Sequence, residues 1–569
     1  MHALISNRDS LELDALTRTE FNFSVDHLME IAAIRLWQTL VREVLLKKDK
    51  LNLISASSAS LKRLSIAAVC GKGDNAGDAL AMLRHARLEG YSRLTAYIPE
   101  PNTMKPDVIL NLRRAERCGA EIVCYEIADL DSIREQLSTN DVILDALLGT
   151  GIDGPARGKV SDLVRLLRDM RIVRNEMGNK NPLIVSIDVP SGLSDAWKPE
   201  FPIVCADVTL CIEPMKESLY MPSARPYAGD IFPVGGIFPL WTKSSTQNTW
   251  LLEESDMKSL LPPISPWAYK MQRGRVAVFA GSSSGAGAAL HCIRGAASAG
   301  AGYIALFCDE ELFSAYLASI GENAIVRVFS KDSFSPECWD VVVAGPGWGI
   351  NLERERILDM LFQADIPLVL DADGARLFAR FASKNQDSSF YRAPIILTPH
   401  PGEFSEMLPI LKPVPFYALA NASETVALVS AFAKKYGITL ALRASTTHVG
   451  LPDGSCFIYD GSTPGLGIAG SGDVLSGMVG GFLARWLAFL KKTGENREST
   501  DAATPSDSPM TKALLGAILV HGSAGKQLWL KKGWFTPIEL ANACARISSG
   551  VIETNVNDDI NSEKGRCLD

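Results

Sequence analysis

The stretch GSGD, Gly470 to Asp473, runs straight into the apolar segment VLSGMVGGFLARW, which reads as a helix. A helix start carries unpaired N–H groups and positive field, so it invites an anion. Asp473 at that place is either an N-cap, worth about 1 kcal/mol, or a carboxylate set to act beside a bound phosphate. Three other stretches follow apolar strands in the same half of the chain. AGPGWG (Ala344 to Gly349) has glycines that permit close backbone approach. LDADGA presents Asp371 and Asp373, and TPHPGEF presents His400 and Glu403. Each alone has an ordinary structural explanation, as a turn, a satisfied histidine or a cap. Together they sit where open α/β sheets bind ligands, at the carboxyl ends of strands. The chemistry they suit is phosphoryl transfer: phosphates on the N–H groups of Gly470 to Gly472, with Asp473 as base beside an acceptor hydroxyl.

The first half holds a second set. GKGDNAGD (Gly71 to Asp78) follows a strand. DALLGTGIDGPARG (Asp145 to Gly158) ends another, and SIDVPSG (Ser186 to Gly192) ends a third with Asp188 beside Ser191. A lone glycine loop is a weak phosphate signal. Asp188 alone could be a turn or cap residue.

Two alternating strand–helix series must position these groups. From Arg63 the strands SIAAVC, RLTAYI, EIVCYEI, DVILDALLG and PLIVSID alternate with helices, the first of them ended by Gly90. Strands apolar throughout, with helices between, predict a parallel sheet covered on both faces. A helical arm, 11–47, precedes this series. A second series begins at Arg275 and runs to ITLALRAS, followed by a hairpin turning at Asp453-Gly454. The expected architecture is α/β in two domains: an N-terminal Rossmann-like three-layer α/β/α domain over 1–240 and a C-terminal α/β domain over 251–569. The polar segment 241–250 is the expected linker. Segment 491–509 and the tail from Asn555 are expected to be mobile.

Composition narrows the class. The 569 residues exceed what one core holds, and 47% hydrophobic with 21% charged content is that of a soluble protein. A net charge of −8 argues against a general nucleic-acid or membrane-surface binder. Eleven cysteines without a CxxC pair suit reduced thiols in a cytoplasm, and seven histidines show no metal-ligand spacing. No targeting segment is visible, and the glycine- and alanine-rich apolar stretches, broken by Arg294 or Arg485, read as buried helices.

In the second half, TPHPGEF, GPGWG, DAD and GSGDVLSGMVGGFLA, with HGSAG at 521–525, resemble the ribokinase-like ADP/ATP-dependent NAD(P)H-hydrate dehydratases, from about Pro266 to Gly533. The resemblance implies dehydration of the 6-hydroxylated nicotinamide at the expense of ADP or ATP, with magnesium. Carried over by position, Ala288, Gly347, His400 and Asp473 contact the hydrate, with Asp473 catalytic. Arg443, Ala444, Ser445, Thr446, Thr447 and Gly472 hold the nucleotide. Arg443 to Ser445 (RAS) stand where that family has Lys-Gly-Ala, and GSGD replaces GTGD. Tyr269 stands where its histidine is common.

In the first half, the loops resemble the NAD(P)H-hydrate epimerase domain, with its GNNGGDG, DALFGTG and SIDIPSG patterns, over roughly 11–239. LME (28–30) and ADVTLCIEPMK (206–216) also fit. The resemblance implies conversion of the R hydrate to the S form that the dehydratase uses. Asp188 is then the acid/base, and Asn75, Asp145 and Ser191 hold potassium. The substrate lies on Asp74, Asn75, Ala76, Gly77 and Asp78, and on Gly149, Thr150, Gly151, Ile152, Asp153, Gly154 and Pro155. Asp74, Ala76 and Ile31 depart from that pattern. The expected partners are small molecules, hydrated NADH and NADPH with ADP or ATP, and further copies of the chain in a homo-oligomer; no nucleic acid and no membrane are expected. The rival reading is a vitamin-precursor kinase joined to a non-catalytic scaffold domain.

Overall fold

The computed structural model describes residues 1–47, 61–178, 182–239, 248–320, 324–330, 333–385, 390–407, 422–494 and 507–550. It divides into two compact units, the first covering His2–Leu251 and the second most of the chain from Leu252.

The first unit contains β1 (His2–Ile5), β2 (Ser65–Cys70), β3 (Arg93–Ile98), β4 (Glu121–Cys124), β5 (Val142–Ala146), β6 (Leu183–Ile187), β7 (Val208–Ile212), β8 (Met215–Lys216), β9 (Asp230–Val234) and β10 (Thr249–Leu252). Seven of them form a sheet in the order β4-β3-β2-β5-β6-β7-β9, parallel throughout. Alternation along β2 shows why it has two covers. Ile66, Ala68 and Cys70 join a core with the helices Val25–Thr39, Asp74–Leu88 and Pro106–Arg117. Ala67 and Val69 join a separate core with Leu130–Ser138 and Gly158–Glu176. The three-layer α/β/α architecture therefore stands. The helical arm is two helices, Asn7–Glu20 and Val25–Thr39, capped by Ser6 and Ser24.

Local details differ from the sequence pattern. The expected glycine loop ends at Gly73, and Asp74 to Asp78 already form the first turns of a helix. Asp74 in that first turn complements the helix dipole. Of the expected linker, 241–247 lie outside the described residues. Thr249 and Trp250 belong to β10, which pairs antiparallel with β1.

The second unit contains β11 (Arg275–Phe279), β12 (Tyr303–Cys308), β13 (Ile325–Val328), β14 (Val341–Ala344), β15 (Leu368–Leu370), β16 (Ile395–Leu397), β17 (Thr439–Leu442), β18 (Thr446–Gly450) and β19 (Cys456–Asp460). Their order is β13-β12-β11-β14-β15-β16-β17-β18-β19, parallel up to β17 and closed by the antiparallel hairpin β18–β19. Gly454 turns that hairpin with φ of 94°.

The long helix Ser471–Thr493 packs against Ala286–Ser298 on one side and Pro509–Lys532 on another. It is the one described helix long and apolar enough to cross a membrane, yet 72% of its apolar window is buried inside the protein. Its Arg485 is spent on the carbonyls of Ala299 and Pro262. Gly477 and Gly481 make close helix packing possible: a Cβ on either would meet the backbone carbonyl of Cys292 or Ala296. Segment 495–506 and the tail beyond 550 lie outside the described residues. The ten described cysteines are all free.

Candidate active sites

In the first unit, strand order reverses between β2 and β5, where ligands of open α/β sheets bind. The turns leaving those two strands border a cavity of about 440 Å³. Asp74, Asn75 and Asp78 line it from one side, Gly149 to Ile152 from another, and Asp188 from the end of β6. Asp153, Gly154 and Pro155 are off its wall, Ala76 is packed into the core, and Gly77 faces Met29, where a Cβ would collide.

Asp188 has φ of 65°, a conformation that non-glycine residues rarely adopt and that costs on the order of 1–3 kcal/mol. Its N–H donates to Leu210 O at 2.8 Å. Its Oδ1 accepts from the Ile212 N–H at 3.1 Å and stands 2.5 Å from the Lys216 Nζ. Lys216, the last residue of the stretch ADVTLCIEPMK, lines the same cavity, a placement the sequence alone did not assign to it. Asp78 is buried, and burial first, then the carboxylates of Asp74, Asp188 and Asp14, push its carboxyl well above the usual range. Exposed Asp74 is paired with Lys105 at 2.7 Å, which answers the extra charge that this chain places beside the cavity.

The potassium candidates do meet. Asn75 donates its amide to Leu148 O at 3.2 Å and to Ile187 O at 3.1 Å. The Ser191 hydroxyl donates to Leu148 O and accepts the Leu148 N–H at 2.9 Å. Asp145, fully buried, accepts from the Ser186 hydroxyl and the Ser191 N–H. Burial pushes its carboxyl up and these bonds oppose that.

In the second unit the order reverses between β11 and β14. The turns after those strands touch each other: a Cβ on Gly347 would crowd Gly285 O and the Ala288 side chain. Beyond β15, Ala372 takes φ of 47°, and the two carboxylates beside it have different partners. Asp371 pairs with Arg443 at 2.7 Å, while Asp373 accepts the Gly349 N–H at 2.7 Å and so ties down the GPGWG turn. After β16, His400 Nδ1 accepts from the N–H groups of Gly402 and Glu403, and its Nε2 stands 3.2 Å from buried Glu403.

The N-cap of the Asp473 helix is Gly470, in left-handed geometry, without a side-chain cap bond. Asp473 lies in the first turn behind it, and no described residue bonds its carboxylate. It is therefore not the cap. Burial first, then Asp371 against the opposing Arg443, with Glu403 adding, raises its pKa to about 6. Arg443 lies so close to Gly472 that a Cβ there would collide with the guanidinium. Ala444 and Ser445 form the turn into β18, where Thr446 and Thr447 are buried. His521, buried and lowered to about 4 chiefly by desolvation, holds Ser471 through its hydroxyl at 3.1 Å and carbonyl at 3.0 Å. The structure thus brings Gly472, Asp473, Arg443 and Asp371 together, beside the Glu403–His400 pair.

Comparison with known proteins finds a match in each half of the chain. Residues 276–547 match the family described as NAD(P)H-hydrate dehydratase, and 25–218 match the YjeF-related protein N-terminus. The bifunctional NAD(P)H-hydrate repair enzyme Nnr of Methanopyrus kandleri is 30% identical over 433 residues, covering 73% of this chain and 78% of the relative. That of Thermofilum pendens is 27% identical, covering 81% and 88%. A Bacillus subtilis ADP/ATP-dependent NAD(P)H-hydrate dehydratase, co-crystallised with ATP and Mg2+, superposes with a TM-score of 0.43 at 23% identity, covering 54% of this chain and 100% of that one. With both motif sets placed on their own sheets and a relative matched across both halves, the chain belongs to the family of bifunctional NAD(P)H-hydrate repair enzymes.

Proposed function

We propose that the two sites divide the repair of hydrated NADH and NADPH, the first converting the R hydrate to S and the second dehydrating S at the expense of ADP or ATP. The observation that carries the second step is Asp473: a half-buried carboxylate, free of any cap bond, in the first turn of a helix whose N–H groups suit phosphate. Asp473 takes the proton from the C6 hydroxyl. The oxygen attacks the terminal phosphorus as its bond to the nucleotide breaks, so ADP gives AMP. Phosphate then leaves C6 with the C–O bond electrons, C5 loses a proton, and the ring double bond reforms. Gly472 and Arg443 to Thr447 hold the nucleotide; Ala288, Gly347 and His400 hold the hydrate. Arg443 gives the phosphates a planar fork where the family has a lysine. Around Asp473, two carboxylates face one guanidinium, so the site suits a further cation. Magnesium carried by the phosphates supplies charge neutralisation there.

In the first site, protonation of the C6 hydroxyl lets water leave, and the ring nitrogen shares the resulting positive charge. Water returns on the other face and gives up a proton. Asp188, its Oδ1 held by Lys216, serves as the acid/base for both proton transfers, and Asp78, whose carboxyl burial pushes up, lies on the same cavity. Asn75, Asp145 and Ser191 offer only oxygen donors and a buried carboxylate bonded to uncharged groups, which fits potassium. That ion supplies a counter-charge fixing the turn after β5.

The rival reading, a vitamin-precursor kinase with a scaffold domain, has less support, since the relatives matched across both halves are named as bifunctional repair enzymes. One experiment separates them. Given mixed R and S hydrate with ADP or ATP and magnesium, the intact chain is expected to consume all of the hydrate, followed by the return of reduced-nicotinamide absorbance. A piece beginning at Glu253 is expected to stop, but for spontaneous epimerisation, once S is gone. A stable phosphorylated alcohol in place of AMP and free phosphate would establish the kinase instead.

The raised pKa of Asp473 has a direct consequence. A base works only when ionised, so dehydratase kcat/KM is expected to fall about tenfold per pH unit below about 6. A flat profile down to pH about 5 would show that another group takes the proton.

A further inference from the structure

Lys216 is fully buried, yet it carries a charge. Its Nζ is 2.5 Å from Asp188 Oδ1 and donates to Ile212 O at 2.6 Å, while the Ile212 N–H donates to the same Oδ1. The three groups close a small ring around one oxygen of the proposed acid/base. Burying an ammonium is costly even after relaxation, and an apolar side chain of similar volume would fill the space at less cost. Burial alone would lower the Lys216 pKa; the Asp188 carboxylate, then Cys211, outweigh it and leave it raised. The position of the pair is as telling as its energy. Asp188 stands in a strained turn at the end of β6, Lys216 in the two-residue strand β8, and both line the cavity between β2 and β5.

We propose that Lys216 is a positioning residue of the epimerase site: it fixes Oδ1 of Asp188, so that Oδ2 alone faces C6 of the hydrate. The inference rests on Asp188 being the acid/base. The Lys216 charge also offsets the other carboxyl groups around Asp188. Asp78, Asp74 and Asp14 line the same cavity, with Lys105 and Lys72. The Cys211 thiol lies 4.0 Å from Oδ1. Without Lys216 the buried Asp188 would face these carboxyl groups with no ammonium of its own.

The test uses the full chain, purified R hydrate, no nucleotide, and the buffer rate subtracted. Lys216→Met is expected to lower epimerase kcat at least about 100-fold with KM changed less than about threefold, and to move the acidic limb of the pH profile upward. Lys216→Arg keeps a charge but not the point contact, so kcat should fall about tenfold while the limb stays in place. Wild-type kcat in either folded variant would overturn the assignment, as would a fall in kcat from Lys216→Met with an unmoved limb. Should Lys216→Met fail to fold, judged by circular dichroism, Lys216→Arg carries the test alone. Asp188→Asn, run beside them, keeps the two ideas apart. If it retains full activity, the acid/base assignment itself fails. If it is inactive while the Lys216 variants behave as wild type, only the positioning role fails.

Discussion

Asp473→Asn is expected to abolish dehydration and leave nucleotide binding nearly unchanged. The substitution keeps the size of the side chain and removes its ability to accept the hydroxyl proton, a loss that commonly costs about 10²–10⁴-fold. The helix start should survive, because Gly470 is the N-cap and His521 fastens Ser471 independently of Asp473. The groups proposed for the phosphates, Gly472 and Arg443, are untouched, and Arg443 keeps its partner Asp371. Losing one negative charge beside those phosphates could tighten nucleotide binding slightly, which titration calorimetry would read. A variant with near-normal turnover and ordinary ADP or ATP affinity would remove Asp473 from the chemistry.

The second large effect is expected at Asp188. The intact chain should convert purified R hydrate faster than buffer, and Asp188→Asn should lower that excess rate by about 10²–10⁴-fold. Asparagine is preferable to alanine here, because it leaves Lys216 an oxygen to bond and avoids stranding a buried ammonium. The wild-type rate should nevertheless be modest. Ala76 is packed in the core where the family has glycine, and Asp74 spends its charge on Lys105. Both changes affect fit around the substrate, and lost fit costs binding and orientation before it removes the chemical step. If wild type and variant alike match the buffer rate, the first domain is a scaffold. If both exceed it equally, the proton passes through another group, with Asp78 the first to test.

What the sequence determined by itself was the set of elements and the ends on which the chemistry sits. Continuous apolar strands separated by helices could only be a parallel sheet covered twice, and β2 shows that demand met residue by residue. GSGD, TPHPGE, DAD and SIDVPSG each announced a turn at a strand end or helix start, and each is found there. The roles inside those turns needed the fold. Asp473 could be cap or base until Gly470 proved to be the N-cap. Gly477 and Gly481 were legible as glycines inside an apolar helix, but only the fold shows them to be contact points for a neighbouring helix. Lys216 ends the stretch ADVTLCIEPMK that fits the epimerase pattern, but nothing local assigned it a role, because a two-residue strand has no periodicity to read. The helix at Asp74, the strand at Thr249 and the placement of Asp153 to Pro155 off the cavity were equally illegible. Local pattern encodes which segments are strands and helices. Which strand lies beside which is set by pairings between residues far apart in the chain. Only that pairing puts Lys216 against Asp188, or Arg443 against Asp371 and Gly472.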